Sequence, residues 1–318
     1  IHCWTGHEVM SRAAHKVLTG SGAVAAYQIE QSLRFNNADD PYLIKTPGSN
    51  GNRDTWTLSF WTKMDAFDSY YMFGSKETSG SGDLFYIYNG SSGGKNQLQI
   101  NHKVSGSAFY YIPNMYFEDF GGWYHIVLAW DSTQGTAANR VKLWVNGDAI
   151  SSWNTYNDWT QNQDTLLNYT GANNTIGAVY GHDGATNISG EYKGYIAEVH
   201  FLDGVAADHE DFGETNSATN QWVPIEYTGS YGTNGYYCKF ASGAIGTDSS
   251  GEGNNFTVNN LVNGDVLLDS PTNNFCVWNS ADTGSYCDLT QGNLTSAGNT
   301  SADAGWTHST MAMMDGSG

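Results

Sequence analysis

The chain has 318 residues and a formal net charge of −19, from 32 acidic and 13 basic side chains. So negative a surface repels phosphate backbones, which argues against nucleic acid as a partner. Aromatic residues make up 14% of the chain, and they supply more apolar area than disordered chains carry. No run approaches the ~18 apolar residues of a membrane-spanning helix, so we expect no membrane span.

The composition favours short strands joined by glycine turns. Glycine is abundant (38 residues) and proline is rare (5 residues), and no stretch keeps helical periodicity for more than about a dozen residues. Residues 55–63 alternate polar and large apolar groups almost strictly, which is the pattern of a half-buried strand. The same alternation puts Tyr86 and Tyr88 on one face of a strand, opposite Phe85 and Ile87.

Residues 121–150 predict the centre of a sheet followed by a hairpin. In the segment 123–130 both faces are largely apolar, so we expect a central strand that is covered on both sides. His125, within this strand, is expected to be a hydrogen-bonded interior residue rather than a ligand. After the next strand, Asn146-Gly147 is a strong hairpin-turn signal.

The composition of the sequence changes after about residue 205. Asn, Ser, Thr and Gly become more frequent there, and clear strand patterns become fewer. We expect one short helical turn within 206–214. Strands at this spacing with glycine turns predict an all-β, antiparallel two-sheet sandwich. The predicted segments are a lead segment (1–29), the sandwich (30–205), a C-terminal return (206–270) with a strand at 236–240, and a loop-rich connection to a further domain (271–318).

Six blocks of residues, in chain order, carry a family resemblance. They are Ser32–Leu43, Trp56–Lys63, Trp123–Val127, Val141–Gly147, Thr175–Gly177 and Gly194–Val199. Together they resemble the strands of laminin-G-like, concanavalin A-like jelly-roll domains, and the resemblance covers roughly residues 30–205. It implies a jelly-roll sandwich, a fold that hosts both carbohydrate-binding modules and glycoside hydrolases.

Two shorter segments resemble a more specific group of proteins. Residues 248–257 and 270–275 are similar to segments of large structural proteins of marine bacteriophages. In those proteins such a sandwich lies near the N-terminus and further β domains follow. The resemblance implies a virion or extracellular location, in a tail or fibre.

Two surfaces are candidates for holding a sugar, since aromatic rings contact its apolar faces and amides or carboxylates bind its hydroxyls. One is the sandwich face that carries Tyr86, Tyr88, Gln99, Asn101 and Trp144. The other is a loop edge, with the candidate residues Trp153, Tyr156, Trp159, Tyr180, His182, Asp183 and Asn187. The polar neighbours of the aromatic residues at 153–159 suggest exposure; the alternative is that they fold back over the sandwich as a lid.

Four aspartates in turns raise the question of a bound Ca2+ ion. They are Asp39, Asp40, Asp183 and Asp203. Carboxylates suit an oxygen-ligated ion, but Asp also forms turns by bonding its own backbone, and both interpretations stay open. Where the family commonly has an Asp before its closing Glu, this chain has Ala197, so a ligand that the resemblance would supply there is missing.

The four cysteines, Cys3, Cys238, Cys276 and Cys287, lack the spacing of a zinc site. Cys276 and Cys287 flank a turn-rich loop, which makes them the candidate disulfide if the compartment is oxidising. Unpaired thiols are the alternative.

The sequence shows no catalytic constellation. Retaining glycosidases need two carboxylates ~5 Å apart, and neither residues 209–214 nor the lone Glu198 fits that pattern. We therefore expect a non-enzymatic module without catalytic residues, with Ca2+ as the one cofactor left open. Its leading function is carbohydrate binding or adhesion, with a glycan or a host surface as partner. The alternative is an architectural role in a fibre, tail or capsid decoration, as a homo-oligomer or beside neighbouring structural subunits; a glycoside hydrolase is third.

Overall fold

Strands dominate the structure. The computed structural model describes residues 27–65, 68–78, 82–92, 95–180, 188–298 and 305–311. These residues form 24 strands and four 3-10 helices, and none of their helices is long and apolar enough to cross a membrane. The 3-10 helices are Asn37–Asp39, Ala137–Asn139, His209–Asp211 and Asn263–Asp265.

The strands are β1 (Ser32–Phe35), β2 (Tyr42–Lys45), β3 (Thr55–Met64), β4 (Tyr70–Glu77), β5 (Leu84–Ser92), β6 (Lys95–Val104), β7 (Ser107–Pro113), β8 (Tyr124–Asp131), β9 (Val141–Val145), β10 (Asp148–Ala149), β11 (Trp153–Tyr156), β12 (Ala172–Ile176), β13 (Val179–Tyr180), β14 (Ile188–Ser189), β15 (Gly194–Asp203), β16 (Gly213–Thr215), β17 (Trp222–Pro224), β18 (Tyr236–Cys238), β19 (Thr257–Asn259), β20 (Val266–Leu267), β21 (Trp278–Thr283), β22 (Cys287–Thr290), β23 (Thr295–Gly298) and β24 (Thr307–Ser309).

Two large sheets hold most of these strands. Sheet A has the order β10-β9-β8-β3-β15-β1-β20, with β18 also paired to β15, and sheet B has the order β11-β7-β6-β5-β4-β12-β2-β19. Neighbouring strands in both sheets run antiparallel. Four two-stranded sheets accompany them, two of which lie at the C-terminal end. The predicted all-β, antiparallel two-sheet sandwich is confirmed.

The core lies between the inner faces of the two sheets. Trp56 and Trp130, from neighbouring strands of sheet A, stack with ring centroids 5.3 Å apart. Phe85 of sheet B meets the edge of Trp56 at 5.9 Å. All three side chains are fully buried, as is Ile87, so the face of β5 that carries Phe85 and Ile87 is the one that points into the core.

Strand β8 lies inside sheet A between β3 and β9, as its two apolar faces predict. Its inner face, with Ile126 and Leu128, joins the main core. Its outer face, with Val127 and Ala129, packs in a second cluster that includes Phe212 of the C-terminal return. The return therefore covers the outer side of sheet A and leaves β8 buried on both faces.

His125 links β8 to this covering layer. Its Nε2 lies 2.9 Å from the Ser59 hydroxyl, and its Nδ1 accepts a hydrogen bond from Trp222 Nε1 at 2.9 Å. Because an indole N–H only donates, Nδ1 is the unprotonated nitrogen and Nε2 carries the hydrogen. Burial lowers the pKa of His125 to about 3, so the ring is neutral. The prediction of a hydrogen-bonded interior histidine is confirmed.

The hairpin that joins β9 to β10 has the predicted Asn146-Gly147 turn. The φ angles of these residues are 51° and 82°, and left-handed values at both positions are what a type I′ turn requires. Trp222 lies on this turn so closely that a Cβ atom at position 147 would be 2.4 Å from its ring. Glycine therefore serves both the turn and the packing.

The C-terminal return adds strands to both sheets. β18 pairs with β15 and β20 with β1 in sheet A, while β19 pairs with β2 in sheet B. The strand predicted at 236–240 is β18, and the helical turn predicted within 206–214 is the 3-10 helix His209–Asp211. The division of the chain into four segments stays a prediction, and most of its lead segment lies outside the described residues.

The small C-terminal sheets meet the sandwich at the end of β3. Ser280 and Asn293 donate to the carbonyl oxygen of Asp65 at 2.5 and 2.6 Å. The Asp65 carboxyl group is fully buried, and its nearest cation is the Lys193 ammonium at 4.0 Å. Burial raises the pKa of Asp65 to about 7, with Lys193 opposing the shift and Asp68 adding to it.

This raised pKa predicts that Asp65 makes stability fall with rising pH. The folded state holds the proton up to about pH 7, whereas the unfolded chain releases it near the ordinary pKa of 3.8. The contribution of Asp65 is thus complete below that ordinary pKa and is lost as the pH rises to about 7, with a slope of at most about 1.4 kcal/mol per pH unit.

Urea unfolding of the wild type and of Asp65→Asn, at about pH 5 and about pH 8, checks this. We expect the variant to lose less stability than the wild type between the two conditions. The same loss in both proteins would contradict the assignment.

Candidate functional site

The outer face of sheet B carries a group of tyrosines and amides. Since Phe85 and Ile87 point into the core, their neighbours on β5 point outward. The ladder places Tyr88 between Tyr71 and Gln99, and Asn101 between Tyr86 and Tyr110. We call this surface the tyrosine face; its members are Tyr71, Tyr86, Tyr88, Gln99, Asn101 and Tyr110.

The rings of the tyrosine face hold one another in place. Tyr71 meets Tyr86 edge to face at 5.0 Å and lies 5.2 Å from Tyr88. Tyr110 is 41% exposed, while Tyr86 and Tyr88 are half-buried. Burial, with a smaller effect of Tyr110, raises the pKa of Tyr86 to about 12. Its hydroxyl therefore stays neutral at physiological pH and both donates and accepts hydrogen bonds.

Gly90 allows the middle of the tyrosine face to form. A Cβ atom at this position would lie 2.3 Å from Gln99 Nε2 and 2.7 Å from Tyr88 Cε1. The amide and the ring thus cross the strand where a side chain would otherwise stand. This close approach fixes Gln99 beside Tyr88.

Of the loop-edge candidates from 180 to 187, the structure describes Tyr180, which belongs to a two-stranded hairpin next to this face. The hairpin strands β13 and β14 pair with each other, and the chain that leaves β14 accepts a hydrogen bond at Gly190 O from Tyr71 N, at 2.8 Å. Tyr180 is the last residue of β13. The candidates His182, Asp183 and Asn187 lie outside the described residues.

Trp153 and Tyr156 line a separate cleft where the edges of the two sheets meet. They belong to β11, the edge strand of sheet B, and the cleft measures about 450 Å3. Both side chains are half-buried, and the Tyr156 hydroxyl donates to the carbonyl of Ala137 at 3.2 Å. The remaining wall is mostly apolar, with Leu143 and Ile150. This cleft offers aromatic contact but fewer hydrogen-bonding groups than the tyrosine face.

Trp159 is not exposed, so of the two interpretations left open for the aromatic residues at 153–159, folding back over the sandwich is the one that holds for this side chain, and Trp159 is not a contact residue. Its side chain is fully buried, stacks on His102 at 4.6 Å and meets Trp130 edge to face at 4.9 Å. Its indole N–H donates to the carbonyl of Gln163 at 2.9 Å. The polar residues around it in sequence form the loop that closes over this end of the core.

The sequence suggested that Trp144 shares a face with Tyr86 and Tyr88, and this prediction was wrong. It lies on β9 in sheet A, whereas the two tyrosines lie on β5 in sheet B. The ring is 7% exposed because the C-terminal return covers it, with His209 stacked on it at 5.3 Å. Trp144 therefore anchors the return.

Residues 37–210, more than half of the chain, match a laminin G family model described as "Concanavalin A-like lectin/glucanases superfamily". The chain belongs to this family. Its sandwich is thus a concanavalin A-like domain, a fold compatible with carbohydrate binding. No curated protein sequence matches the chain.

Several solved structures are similar to part of this concanavalin A-like domain at low sequence identity. A heptameric SAP-like pentraxin from Limulus polyphemus is 18% identical, with 58% of this chain and 82% of that one covered and a TM-score of 0.42. The NanB sialidase from Streptococcus pneumoniae is 18% identical, with 59% and 29% covered and a TM-score of 0.39. Tailspike protein 2 of an Escherichia coli O157:H7 bacteriophage is 13% identical, with 58% and 24% covered and a TM-score of 0.38. The chain spans less than a third of the sialidase and tailspike chains.

Three of the four aspartates considered as calcium ligands are described in the structure, and each has a structural role in the concanavalin A-like domain. Asp203 accepts hydrogen bonds from Asn52 N, Asn168 Nδ2 and Asn234 N at 2.7 to 3.0 Å, so it ties three loop segments together. Asp39 accepts from the Asn36 amide at 2.7 Å, and Asp40 ends a 3-10 helix. Among the described residues no three His, Cys, Asp or Glu side chains converge to hold a metal. Asp183 lies outside them.

Cys276 and Cys287 are free thiols in the structure, which agrees with the second of the two alternatives, unpaired thiols, and not with the candidate disulfide. Cys276 lies before β21, where its sulfur is 4.0 Å from the carbonyl oxygen of Met311. Cys287 begins β22, and its sulfur lies so close to Gly305 that a Cβ atom there would be 2.5 Å away. Both thiols thus pack against the C-terminal residues 305–311 instead of each other.

Proposed function

We propose that this chain is a non-enzymatic carbohydrate-binding module that holds a neutral oligosaccharide on the tyrosine face. The observation that carries the proposal is the packing of Tyr71, Tyr86 and Tyr88 against one another beside Gln99 and Asn101. Sugar rings bind aromatic surfaces through their apolar faces, and side-chain amides both donate to and accept from hydroxyls.

The size and order of the tyrosine face support an oligosaccharide ligand. From Tyr71 on β4 to Tyr110 on β7 it crosses three strand spacings, or about 14 Å at ~4.8 Å each. The rings of Tyr71, Tyr86 and Tyr88 are fixed by mutual contacts, so little of their conformational entropy is lost when a ligand binds.

The chemistry of the face supports binding without hydrolysis. None of its six members is a carboxylate, whereas glycoside hydrolysis needs a pair of carboxylates on the two sides of the scissile bond. A glycoside hydrolase stays the third hypothesis.

The location that we propose is a virion or the extracellular space, where the module contacts a host surface. The resemblance of residues 248–257 and 270–275 to structural proteins of marine bacteriophages supports a tail or fibre.

An architectural role is the second candidate, and exposed apolar side chains near the C-terminus favour it. They are Leu268, Phe275, Trp278, Tyr286, Leu294, Trp306 and Met311, each between 36% and 65% exposed. Apolar groups that stay exposed in one region mark contact surfaces. Such a surface would join this module to sister or neighbouring subunits.

A glycan array probed with the whole chain, with calcium and then with EDTA, tests the binding function. We expect specific binding to neutral oligosaccharides, and a loss of at least about tenfold in affinity in Tyr86→Ser/Tyr88→Ser, because two stacking surfaces are removed. Loss of binding in EDTA would assign Ca2+ to the site.

The matched control is Tyr286→Ser, which removes a tyrosine that is 40% exposed outside the tyrosine face. This variant should bind like the wild type. If no glycan binds in either buffer and the protein sediments as an oligomer, the architectural function replaces the proposed one.

A further inference from the structure

Glu198 has a backbone conformation that its strand does not explain. It lies within β15, whose residues are all buried, yet its φ angle is 51°. The ladder between β15 and β3 shifts register between Ala197 and His200, which is a bulge around Glu198. Bulges re-aim side chains, and non-glycine residues held in left-handed conformations cluster at functional sites.

At the bulge, the Glu198 carboxylate lies against the hydroxyl groups of two tyrosines. Its side chain is 5% exposed, and its Oε1 atom accepts hydrogen bonds from the hydroxyls of Tyr27 and, at 2.6 Å, Tyr237. His200 Nε2 lies 3.5 Å from the same oxygen. The other oxygen, Oε2, has no hydrogen-bond donor among the described residues. A buried carboxylate oxygen without a donor is unfavourable, so Oε2 is the atom of this carboxylate that lacks a partner among the described residues.

Glu198 also lines a cavity of about 200 Å3 on the sheet A side of the molecule. Tyr27, Glu30, Tyr237 and Lys239 are among the other residues of its wall. Two carboxylates against one ammonium make the wall negative by one charge. The Lys239 ammonium lies 5.0 Å from the centroid of the Tyr237 ring, so the wall already attracts a cation to an aromatic face.

The charge and the hydrogen-bonding groups of the cavity wall favour one class of ligand over the others. Its net charge disfavours anions, and a neutral hydroxyl is a weaker donor to a carboxylate than an ammonium group is. A calcium ion takes six to eight oxygen ligands, whereas both phenols direct their hydrogens at Glu198 Oε1. A primary ammonium supplies donors for the carboxylate and positive charge for the aromatic rings.

We propose that this cavity binds a primary ammonium group, carried by an amino sugar or by a simple aliphatic amine. Glu198 accepts its hydrogen bond and the rings of Tyr27 and Tyr237 flank it. The site is separate from the tyrosine face, since Glu198 belongs to sheet A and the tyrosine face to sheet B. The proposal therefore does not depend on the function assigned to that face.

Calorimetric titration of the whole chain with glucosamine, N-acetylglucosamine and ethylamine tests the proposal. We expect glucosamine to bind with a Kd on the order of 1 mM and N-acetylglucosamine, whose nitrogen is uncharged, to bind at least about tenfold more weakly. Ethylamine that binds as well as glucosamine would show that the ammonium suffices; weaker binding of ethylamine would identify the sugar as part of the ligand.

Two variants change the charge of the wall in opposite directions. Glu198→Gln should weaken glucosamine binding at least about tenfold. Lys239→Gln removes an exposed ammonium, leaves the fold intact, and should tighten binding a few-fold, since it ends the competition for the Tyr237 ring. Glu118→Gln, at an exposed carboxylate on the surface, is the control and should change nothing.

Binding must also persist in Tyr86→Ser/Tyr88→Ser, which separates this site from the tyrosine face. Equal affinity for glucosamine and N-acetylglucosamine, no binding of either amine, or weaker binding in Lys239→Gln would overturn the proposal.

Discussion

Lys63→Met is expected to lower the free energy of unfolding by about 3–5 kcal/mol, although the substitution is apolar and similar in length. The Lys63 side chain is fully buried, and its ammonium lies 3.0 Å from Asp269, whose side chain is 6% exposed. It also donates to Asn274 Oδ1 and to the carbonyl of Phe275, both at 2.8 Å. Without the ammonium, the Asp269 carboxylate stays buried with no opposite charge, which is the costly way to break such a pair.

Urea unfolding at neutral pH measures this loss. Lys142→Met is the matched control, because Lys142 is an exposed lysine on a strand of the same sheet, and its stability should stay within about 0.5 kcal/mol of the wild type. A loss below about 1 kcal/mol in Lys63→Met would show that Lys63 does not hold the segment 269–275 on sheet A.

Trp159→Ala is expected to cost about 3–5 kcal/mol, the range of large-to-small changes in a packed core. The ring contacts His102, Phe109 and Trp130 with centroids 4.6 to 4.9 Å away. The substitution leaves a cavity among them and removes the donor to the Gln163 carbonyl. Thermal or urea unfolding gives the loss directly.

Trp153→Ala serves as the comparison, since Trp153 is half-buried at the edge cleft. It should lose less than half the stability that Trp159→Ala loses. Equal losses in the two variants would contradict the assignment of Trp159 to the core and Trp153 to the edge.

The alternation of side chains predicted much of the fold because it reports burial strand by strand. It separated the two faces of β5 correctly, and two apolar faces identified β8 as a covered strand. The turn at Asn146-Gly147 followed from backbone chemistry alone. Each of these inferences needs only residues that are close in the sequence.

What the sequence could not supply is which strands become neighbours. Trp144 was grouped with Tyr86 and Tyr88, but alternation gives a face and not a sheet. Tyr71 and Tyr110 escaped notice because their place on the tyrosine face depends on the registers of β4 with β5 and of β6 with β7, including a bulge between Tyr71 and Phe73.

Contacts between distant residues explain the remaining errors and omissions. Trp159 stands among polar residues, and only its packing on His102, far back in the chain, makes it part of the core. Two partners of Lys63, Asn274 and Phe275, lie in the segment 271–318, whose composition suggested a loop. The bulge at Glu198 is likewise visible only once β15 is aligned with β3.

The central claim is that a glycan lies on the tyrosine face, and a crystal structure with the strongest oligosaccharide ligand from the array tests it most directly. We predict sugar rings against Tyr86 and Tyr88, with hydroxyls hydrogen-bonded to Gln99 or Asn101. A sugar bound elsewhere, for example at Trp153 in the edge cleft, with the tyrosine face unoccupied, would contradict the account.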